Sequence, residues 1–150
     1  MKKYIKYAIY LLLPVIGGSI IGFLINNSID YKILEKPPLS PPSIIFPIAW
    51  TIIYILMGIS YFLYKRKDSD KYLDVIYYLQ LFFNYMWSII FFILKWRLFS
   101  IIWILLLDIL VILLIKKFLD KNRISAYLNI PYLLWLIFAT YLNIGIYILN

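Results

Sequence analysis

Five long intervals of apolar, nearly uncharged sequence constrain the fold of this 150-residue chain more than any other feature. An α-helix needs roughly 20 apolar residues to cross the hydrocarbon core of a bilayer, and a chain in lipid must satisfy its backbone hydrogen bonds internally. The intervals therefore predict an all-α membrane protein, a five-transmembrane-helix bundle in which residues 1–150 form a single domain. The predicted helices cover about residues 7–25, 44–64, 73–94, 98–115 and 125–148.

The distribution of basic residues predicts the orientation of these helices. The chain has 15 lysines and arginines and a net charge of +8. Most of them fall on one side of the predicted bundle, namely Lys2, Lys3, Lys6, Lys65, Arg66, Lys67, Lys71, Lys116, Lys117, Lys121 and Arg123; the other side has Lys32, Lys36, Lys95 and Arg97. Because basic loops stay in the cytoplasm, we expect the N-terminus inside the cell, in a multi-pass protein of a bacterial cytoplasmic membrane. The lysines lie in short loops, so we expect attraction to membrane lipids and no nucleic-acid partner.

Several kinds of chemistry are excluded by composition. The chain has no cysteine and no histidine, which removes disulfides, thiol and imidazole catalysis and most zinc or haem ligation. Asp108 is the one charged residue within the five apolar intervals, the third of which begins at Val75, so we expect no metal site. Such a residue serves either a proton or cation relay or a structural hydrogen bond between helices, and the sequence leaves both readings open.

The connector between the first two helices is rich in proline. Four of the seven prolines fall within Glu35–Pro42, and proline fixes φ and removes a backbone donor. Since functional residues concentrate on long, shaped loops, we interpret this connector as a stiff lid. The first helix contains Gly18 and Gly22 in G-x-x-x-G spacing, which favours either close packing inside the bundle or a homodimer seam.

Aromatic and amide residues recur at helical spacing on three of the predicted helices. The stripes are Pro47, Trp50, Tyr54 and Met57 on the second helix, Gln80, Asn84, Trp87, Ser88 and Phe91 on the third, and Trp135, Ala139 and Asn143 on the fifth. Buried amides are costly in lipid, so we expect Asn84 and Asn143 to face the interior of the bundle.

Three ordered stretches of the chain also match a known family. They are Tyr31 and Leu34–Pro42 with Phe46-Pro47, Trp50-Thr51, Tyr54 and Met57-Gly58; Asn84, Trp87-Ser88 and Phe91-Phe92; and Pro131–Trp135 with Phe138-Ala139, Leu142-Asn143 and Leu149-Asn150. The pattern resembles the TspO/MBR family, the tryptophan-rich sensory proteins related to the mitochondrial translocator protein or peripheral benzodiazepine receptor. Two positions depart from it, because Asp30 and Leu39 stand where the family has tryptophan. These departures predict a lid with fewer rings.

The resemblance implies a pocket beneath the lid that accepts porphyrins and other flat hydrophobic ligands. The motif positions carry over the family's site to Tyr31, Trp50, Asn84, Trp135 and Ala139. Together with the stripes and the lid, the expected ligand-binding residues are Tyr31, Pro41, Pro42, Phe46, Trp50, Tyr54, Asn84, Trp87, Phe91, Trp135, Ala139 and Asn143. Lys32 and Lys36 lie in the lid, where we hypothesise that they meet porphyrin propionates.

The resulting functional prediction is a tetrapyrrole-binding sensor or handler, of the protoporphyrin IX type, acting in a stress response. The chain lacks an acid–base or nucleophile constellation. The alternatives are a light-dependent porphyrin-degrading enzyme, with Trp50 and Trp135 as the catalytic residues, and a transporter of porphyrins or other hydrophobic ligands. No cofactor is required, since the porphyrin is ligand or substrate. We expect a homodimer whose other partners are membrane lipids.

Overall fold

Residues 1–150 are all described by the computed structural model, which is mainly helical and has no strand. The helices are α1 (Lys2–Ile25), α2 (Ile45–Lys65), α3 (Lys71–Ser88), α4 (Arg97–Lys121), α5 (Arg123–Leu128) and α6 (Ile130–Leu149). A short 3₁₀ turn, Asn26–Ser28, follows α1, and a π-helical turn, Ile89–Ile93, continues α3. Five helical segments are long and apolar enough to cross a membrane, the fifth formed by α5 and α6 together. The predicted all-α, five-helix fold is confirmed.

Two helix ends differ most from the predicted ones: α1 begins at Lys2 rather than at about residue 7, and α4 continues to Lys121 rather than ending at residue 115. Lysine is a good helix former, so the basic residues that were expected to form a loop extend the helix instead. The helix ends before Asn122, which has an extended backbone conformation. In this conformation the Asn122 side chain accepts a hydrogen bond from the Ser125 amide at 3.2 Å. Asn122 is therefore the cap of α5, and the turn between the two helices is short.

The end of α3 also departs from a regular helix. Its last turn is π-helical, with the Leu94 amide donating to the Ile89 carbonyl at 3.0 Å. Lys95 then has a φ of 58°, a left-handed conformation that a non-glycine residue rarely adopts. The turn into α4 is consequently very tight, and it places Arg97 beside the lid.

Two ends of the bundle differ in how they are packed. The lysine-rich end, formed by Lys2–Lys6, Lys65–Lys71 and Lys116–Arg123, contains a dense aromatic core. There the rings of Tyr61 and Tyr77 stack with their centroids 4.0 Å apart. The opposite end, covered by the lid (residues 29–44), encloses a cavity. The cavity between the helices therefore lies at the lid end of the bundle.

The small residues of α1 allow its neighbours to approach closely. A Cβ at Gly17 would overlap the Tyr85 ring, and one at Gly18 would overlap the Tyr54 ring, whereas a Cβ at Gly22 would meet open space. On α2, a Cβ at Gly58 would collide with the backbone of Leu11. Gly17 and Gly18 thus serve packing inside the bundle, one of the two roles expected for this stretch of α1.

Candidate ligand pocket beneath the lid

The cavity at the lid end has a volume of about 410 Å³ and lies between α1, α2, α3 and α6. Its lining is mainly apolar and contains no lysine, arginine, aspartate or glutamate. Eight of the twelve expected ligand-binding residues line it: Tyr31, Phe46, Trp50, Tyr54, Trp87, Phe91, Ala139 and Asn143. A cavity of this size, lined by rings and a few polar groups, suits a hydrophobic small molecule.

The floor of the pocket is the Tyr54 ring, which is held by a buried chain of hydrogen bonds. The Tyr54 hydroxyl donates to Asn84 Oδ1 at 2.5 Å, and Asn84 Nδ2 donates to the Tyr132 hydroxyl at 2.8 Å. Tyr132 in turn donates to Gln80 Oε1 at 2.8 Å. Asn84 does not line the cavity, so it acts through Tyr54, whose ring it fixes in place.

One wall is formed by Trp87 and Phe91, whose stacked ring centroids are 5.3 Å apart. Trp87 Nε1 donates to Asn143 Oδ1 at 2.9 Å, and Asn143 Nδ2 donates to Ser100 Oγ at 3.0 Å. Because both polar groups are satisfied by each other or by α4, this wall is rigid in the absence of a ligand.

Trp135 lies behind the pocket and does not line it. Its ring makes edge contacts with Trp50, at 6.5 Å between centroids, and with Phe46, at 5.8 Å. Its indole Nε1 is buried without a hydrogen-bond partner, which is costly in an apolar interior. The two tryptophans are therefore in contact, with Trp50 facing the cavity and Trp135 supporting it.

The lid is fastened internally around Tyr31. The Tyr31 hydroxyl donates to the Pro41 carbonyl at 2.7 Å, and its ring packs edge-on against Phe46 at 4.9 Å. Lys36 Nζ donates to the carbonyls of Tyr31 and Leu34, both at 2.9 Å, and lies over the Tyr31 ring. Burial raises the pKa of the Tyr31 hydroxyl above its ordinary value. Pro41 thus belongs to the structure of the lid, and neither it nor Pro42 lines the cavity.

The lid contacts bear on the hypothesis that Lys32 and Lys36 bind the propionates of a porphyrin. Lys36 is bonded within the lid, and neither Lys32 nor Lys36 lines the cavity. Their position in the lid suggested a role at the pocket rim, but sequence position does not specify where a long side chain points. The polar atoms available to a ligand are instead those of neutral residues such as Asn26, Ser43 and Ser88.

The lid is also seated on α6. The Pro37 ring packs where Gly145 has no side chain, and the Tyr141 hydroxyl donates to the Pro38 carbonyl at 2.7 Å. The Asn150 side chain pairs with the backbone of Glu35, accepting from its amide at 3.1 Å and donating to its carbonyl at 2.8 Å. These contacts extend from Tyr141 to Asn150, about two and a half helical turns, and hold the lid in place.

The two departures from the family pattern occupy different environments. Asp30 Oδ2 accepts from Arg97 Nη2 at 2.7 Å, with Lys95 Nζ 3.6 Å away. Arg97 in turn donates to the Phe91 carbonyl at 3.1 Å, and its guanidinium lies 4.4 Å from the Phe91 ring centroid. Asp30 thus ties the lid to the turn before α4. Leu39 is at the exposed lid tip, with a φ of 70°.

Six residues of α1 also line the pocket, and none of them is among the expected ligand-binding residues. Their signal is visible in retrospect, because they recur at helical spacing on one face of α1. They are Val15, Gly18, Ser19, Ile21, Gly22 and Ile25. From the sequence, the two glycines are predicted only to pack against another helix, because aliphatic and small residues have no functional group that indicates a binding site.

Asp108 lies away from the pocket, between α4 and α6. Its Oδ2 accepts from the Thr140 hydroxyl at 2.8 Å, while Oδ1 is buried without a partner. No group of three or more aspartates, glutamates, cysteines or histidines is close enough to hold a metal ion. The contact with Thr140 favours the structural reading of Asp108.

Fold and pocket together define a multi-pass integral membrane protein with a lidded, ring-lined cavity. The chain belongs to the TspO/MBR family, whose model matches residues 10–149. It is 38% identical over 122 residues to the tryptophan-rich protein TspO of Archaeoglobus fulgidus, covering 80% of this chain and 79% of that one. It is 31% identical over 145 residues to the translocator protein homolog of Schizosaccharomyces pombe, covering 93% and 88% of the two chains. At the family level it is a sensor-like or translocator-like membrane protein.

Proposed function

We propose that the pocket binds a tetrapyrrole of the protoporphyrin IX type and that the protein serves as a sensor or handler of this ligand in a stress response. The observation that carries the proposal is the uncharged, ring-lined cavity of about 410 Å³ beneath a fastened lid. Flat conjugated ligands pack favourably against aromatic faces and edges. Trp50 and Tyr54 of α2 offer such surfaces, as do Trp87 and Phe91 at the end of α3.

The test is a titration of purified protein with protoporphyrin IX, followed by the shift of its main absorption band and by quenching of tryptophan fluorescence. Ala139 is buried and lines the cavity, so Ala139→Leu fills part of the space. We expect its affinity to fall about tenfold or more, equivalent to about 1.4 kcal/mol. Ala8→Leu makes the same change at an exposed position of α1 and serves as the control. Equal affinities in all three proteins, each with an unchanged melting temperature, would contradict the proposal.

A second candidate is light-dependent breakdown of the bound porphyrin. It is favoured by the contact between Trp50 at the cavity and Trp135 behind it, at 6.5 Å between ring centroids, since adjacent indoles can share an oxidised state. Illumination of the porphyrin complex in air, with product analysis, distinguishes the two. If Trp135→Phe retains binding but loses product, the enzyme is supported. Equal, slow bleaching in both proteins supports simple binding.

We further propose a homodimer with a cytoplasmic N-terminus in a bacterial membrane. Since Gly17 and Gly18 of α1 already contact Tyr85 and Tyr54, the dimer face would lie elsewhere than the stretch around Gly18. Light scattering of the detergent-solubilised protein, corrected for bound detergent, measures the oligomeric state directly. A mass of one chain at all concentrations would remove the dimer from the proposal.

A further inference from the structure

A second concavity lies on the outer surface of the bundle at its lysine-rich end. It has a volume of about 390 Å³ and is lined by Tyr72 and Ile76 of α3 and by Leu113, Lys116, Lys117 and Asp120 of α4. None of these residues contributes to the lid or to the ligand pocket. We call it the α3–α4 groove, and neither the family membership nor the proposed function accounts for it.

The groove changes from polar to apolar along the membrane normal. The start of α3 and the end of α4 both lie at the lysine-rich end, so Ile76 is one turn deeper than Tyr72, and Leu113 is one turn deeper than Lys117. Tyr72 is 63% exposed, as expected for an aromatic residue at the level of the lipid headgroups. The polar mouth and apolar floor match the two parts of an amphiphile.

The two lysines of the groove have no acidic partner. Lys121, one turn further along α4, lies 3.7 Å from Asp68 and 3.9 Å from Asp70, but neither Lys116 nor Lys117 forms an ion pair. Asp120 is four residues after Lys116, a spacing that permits pairing, yet it forms none either. The groove therefore has an excess of positive charge that the protein does not neutralise.

Lys117 is held at the groove by an aromatic contact. Its Nζ lies 5.0 Å from the centroid of the Tyr72 ring, which is within the range of a cation–π interaction. This contact fixes the position of the ammonium group without consuming its charge. An anion approaching from the headgroup layer would thus meet a cation that is already placed.

We propose that the α3–α4 groove binds an anionic phospholipid. The phosphate would lie at Lys116 and Lys117, and an acyl chain would run over Ile76 and Leu113. Lysines near the membrane surface attract anionic lipids. A soluble anion would contact the lysines but not the apolar floor of the groove. A phospholipid would contact both the basic and the apolar part of the groove.

The test counts lipids that remain bound to the purified protein. Wild type and variants are incubated with phosphatidylglycerol or phosphatidylcholine of identical acyl chains, and bound lipid is measured by native mass spectrometry. We expect wild type to retain phosphatidylglycerol over phosphatidylcholine and the double variant Lys116→Gln/Lys117→Gln to lose this preference. Lys2→Gln/Lys3→Gln removes the same charge at the same end of the bundle, and it should behave as wild type. The same preference in all three proteins would refute the proposal.

Two further variants separate the parts of the site. Lys116→Arg/Lys117→Arg keeps the charge and should keep the preference, whereas Leu113→Ala shortens the apolar floor at an exposed position and should weaken retention of both lipids. Unfolding temperatures are compared with added short-chain phosphatidylglycerol and with inorganic phosphate. Stabilisation by the lipid alone supports the proposal, and equal stabilisation by phosphate would assign the groove to a soluble anion instead.

Discussion

The floor of the ligand pocket depends on a missing side chain. Gly18 leaves room for the Tyr54 ring, which thereby reaches Asn84 with its hydroxyl and stacks against Trp50 at 5.6 Å between centroids. A Cβ at position 18 would occupy the space of that ring. The shape of the cavity is consequently set as much by one glycine on α1 as by the aromatic residues themselves.

Gly18→Ala is expected to destabilise the protein and weaken ligand binding. The added methyl displaces Tyr54, and overpacking of this kind costs about 1–3 kcal/mol. Gly22→Ala is the matched control for stability, because its Cβ meets open space while it gains the same helix propensity, about 1 kcal/mol. Gly22 also lines the cavity, so the porphyrin affinity of Gly18→Ala is compared with that of wild type. If the melting temperatures of the two variants were equal, the contact between Gly18 and Tyr54 would not matter energetically.

Tyr31 is expected to make the lid sensitive to alkaline pH. Burial raises the pKa of its hydroxyl, so the neutral form is favoured in the folded lid. Its contribution to stability is complete below about pH 10, the ordinary pKa of tyrosine, and is lost as the pH rises through the higher folded value. Ionisation would remove the hydrogen bond to the Pro41 carbonyl.

The measurement is the rate at which bound protoporphyrin IX is released between about pH 8 and 12, a range that spans the ionisation of tyrosine at about pH 10. Wild type should release ligand faster at the alkaline end. Tyr31→Phe keeps the ring against Phe46 but lacks the hydroxyl, so it should release ligand faster than wild type at the lower end of this range and lose the pH dependence. A variant with the same pH profile as wild type would show that another group titrates.

Helical periodicity predicted which residues face the interior but not how deep each one lies. Asn84 and Trp135 are on the expected stripes, yet they lie one layer behind Tyr54 and Trp50 rather than in the cavity. Depth depends on the sizes of the side chains in between, which sequence spacing does not encode.

At the scale of elements, the lid is held by two attachments that are distant in sequence. One joins Glu35, Pro37 and Pro38 to α6, and the other joins Asp30 to Arg97 at the start of α4. The proline-rich connector predicted the lid, and the family resemblance indicated only a lost ring at Asp30. The ion pair was not predictable from local sequence, because its partners are 67 residues apart and meet only through the tight turn at Lys95.

Asp30→Asn is expected to loosen the lid without unfolding the bundle. Asp30 and Arg97 are largely buried, with side-chain exposures of 14% and 13%. Removing the charge of one leaves the other buried without its ionic partner, which costs about 1–3 kcal/mol of stability, and more because the remaining group is charged. Ligand dissociation should accelerate, as measured by stopped-flow porphyrin fluorescence. Arg97→Gln should have a similar effect, and the double variant should add little to either change.

The control for Asp30→Asn is Asp68→Asn at the opposite end. Asp68 is 38% exposed and lies 3.7 Å from Lys121, and exposed pairs contribute little. The Asp68→Asn substitution should therefore leave both the ligand dissociation rate and the melting temperature close to those of wild type. A dissociation rate in Asp30→Asn equal to that of the control would mean that the attachment to α6 alone holds the lid.

Across the whole molecule, aromatic packing and basic charge are concentrated at the same end of the bundle axis. The lysine-rich end is filled by aromatic side chains such as Tyr61, Tyr64 and Phe118, while the lid end contains the cavity. The number of helices and the end that carries the lid were predictable from apolar intervals, charge clusters and prolines. The extent of the cavity was not, because it depends on how all four surrounding helices diverge.

This axis makes the membrane orientation of the protein testable with single cysteines. Basic residues concentrate at the end opposite the lid, and basic loops remain in the cytoplasm, so the lid should face outward. The chain has no cysteine of its own, which makes Ile33→Cys and Lys67→Cys unambiguous reporters. Ile33 is 85% exposed in the lid, and Lys67 lies in the exposed turn between α2 and α3.

In intact bacterial cells, a membrane-impermeant maleimide should label Ile33→Cys directly and Lys67→Cys only after permeabilisation. The wild-type chain should remain unlabelled under both conditions, which controls for nonspecific reaction. The reverse pattern would place the lid in the cytoplasm, so that the pocket would receive its ligand from inside the cell. Labelling of both cysteines in intact cells would indicate mixed insertion, and the charge difference between the two ends would then be too weak to fix one orientation.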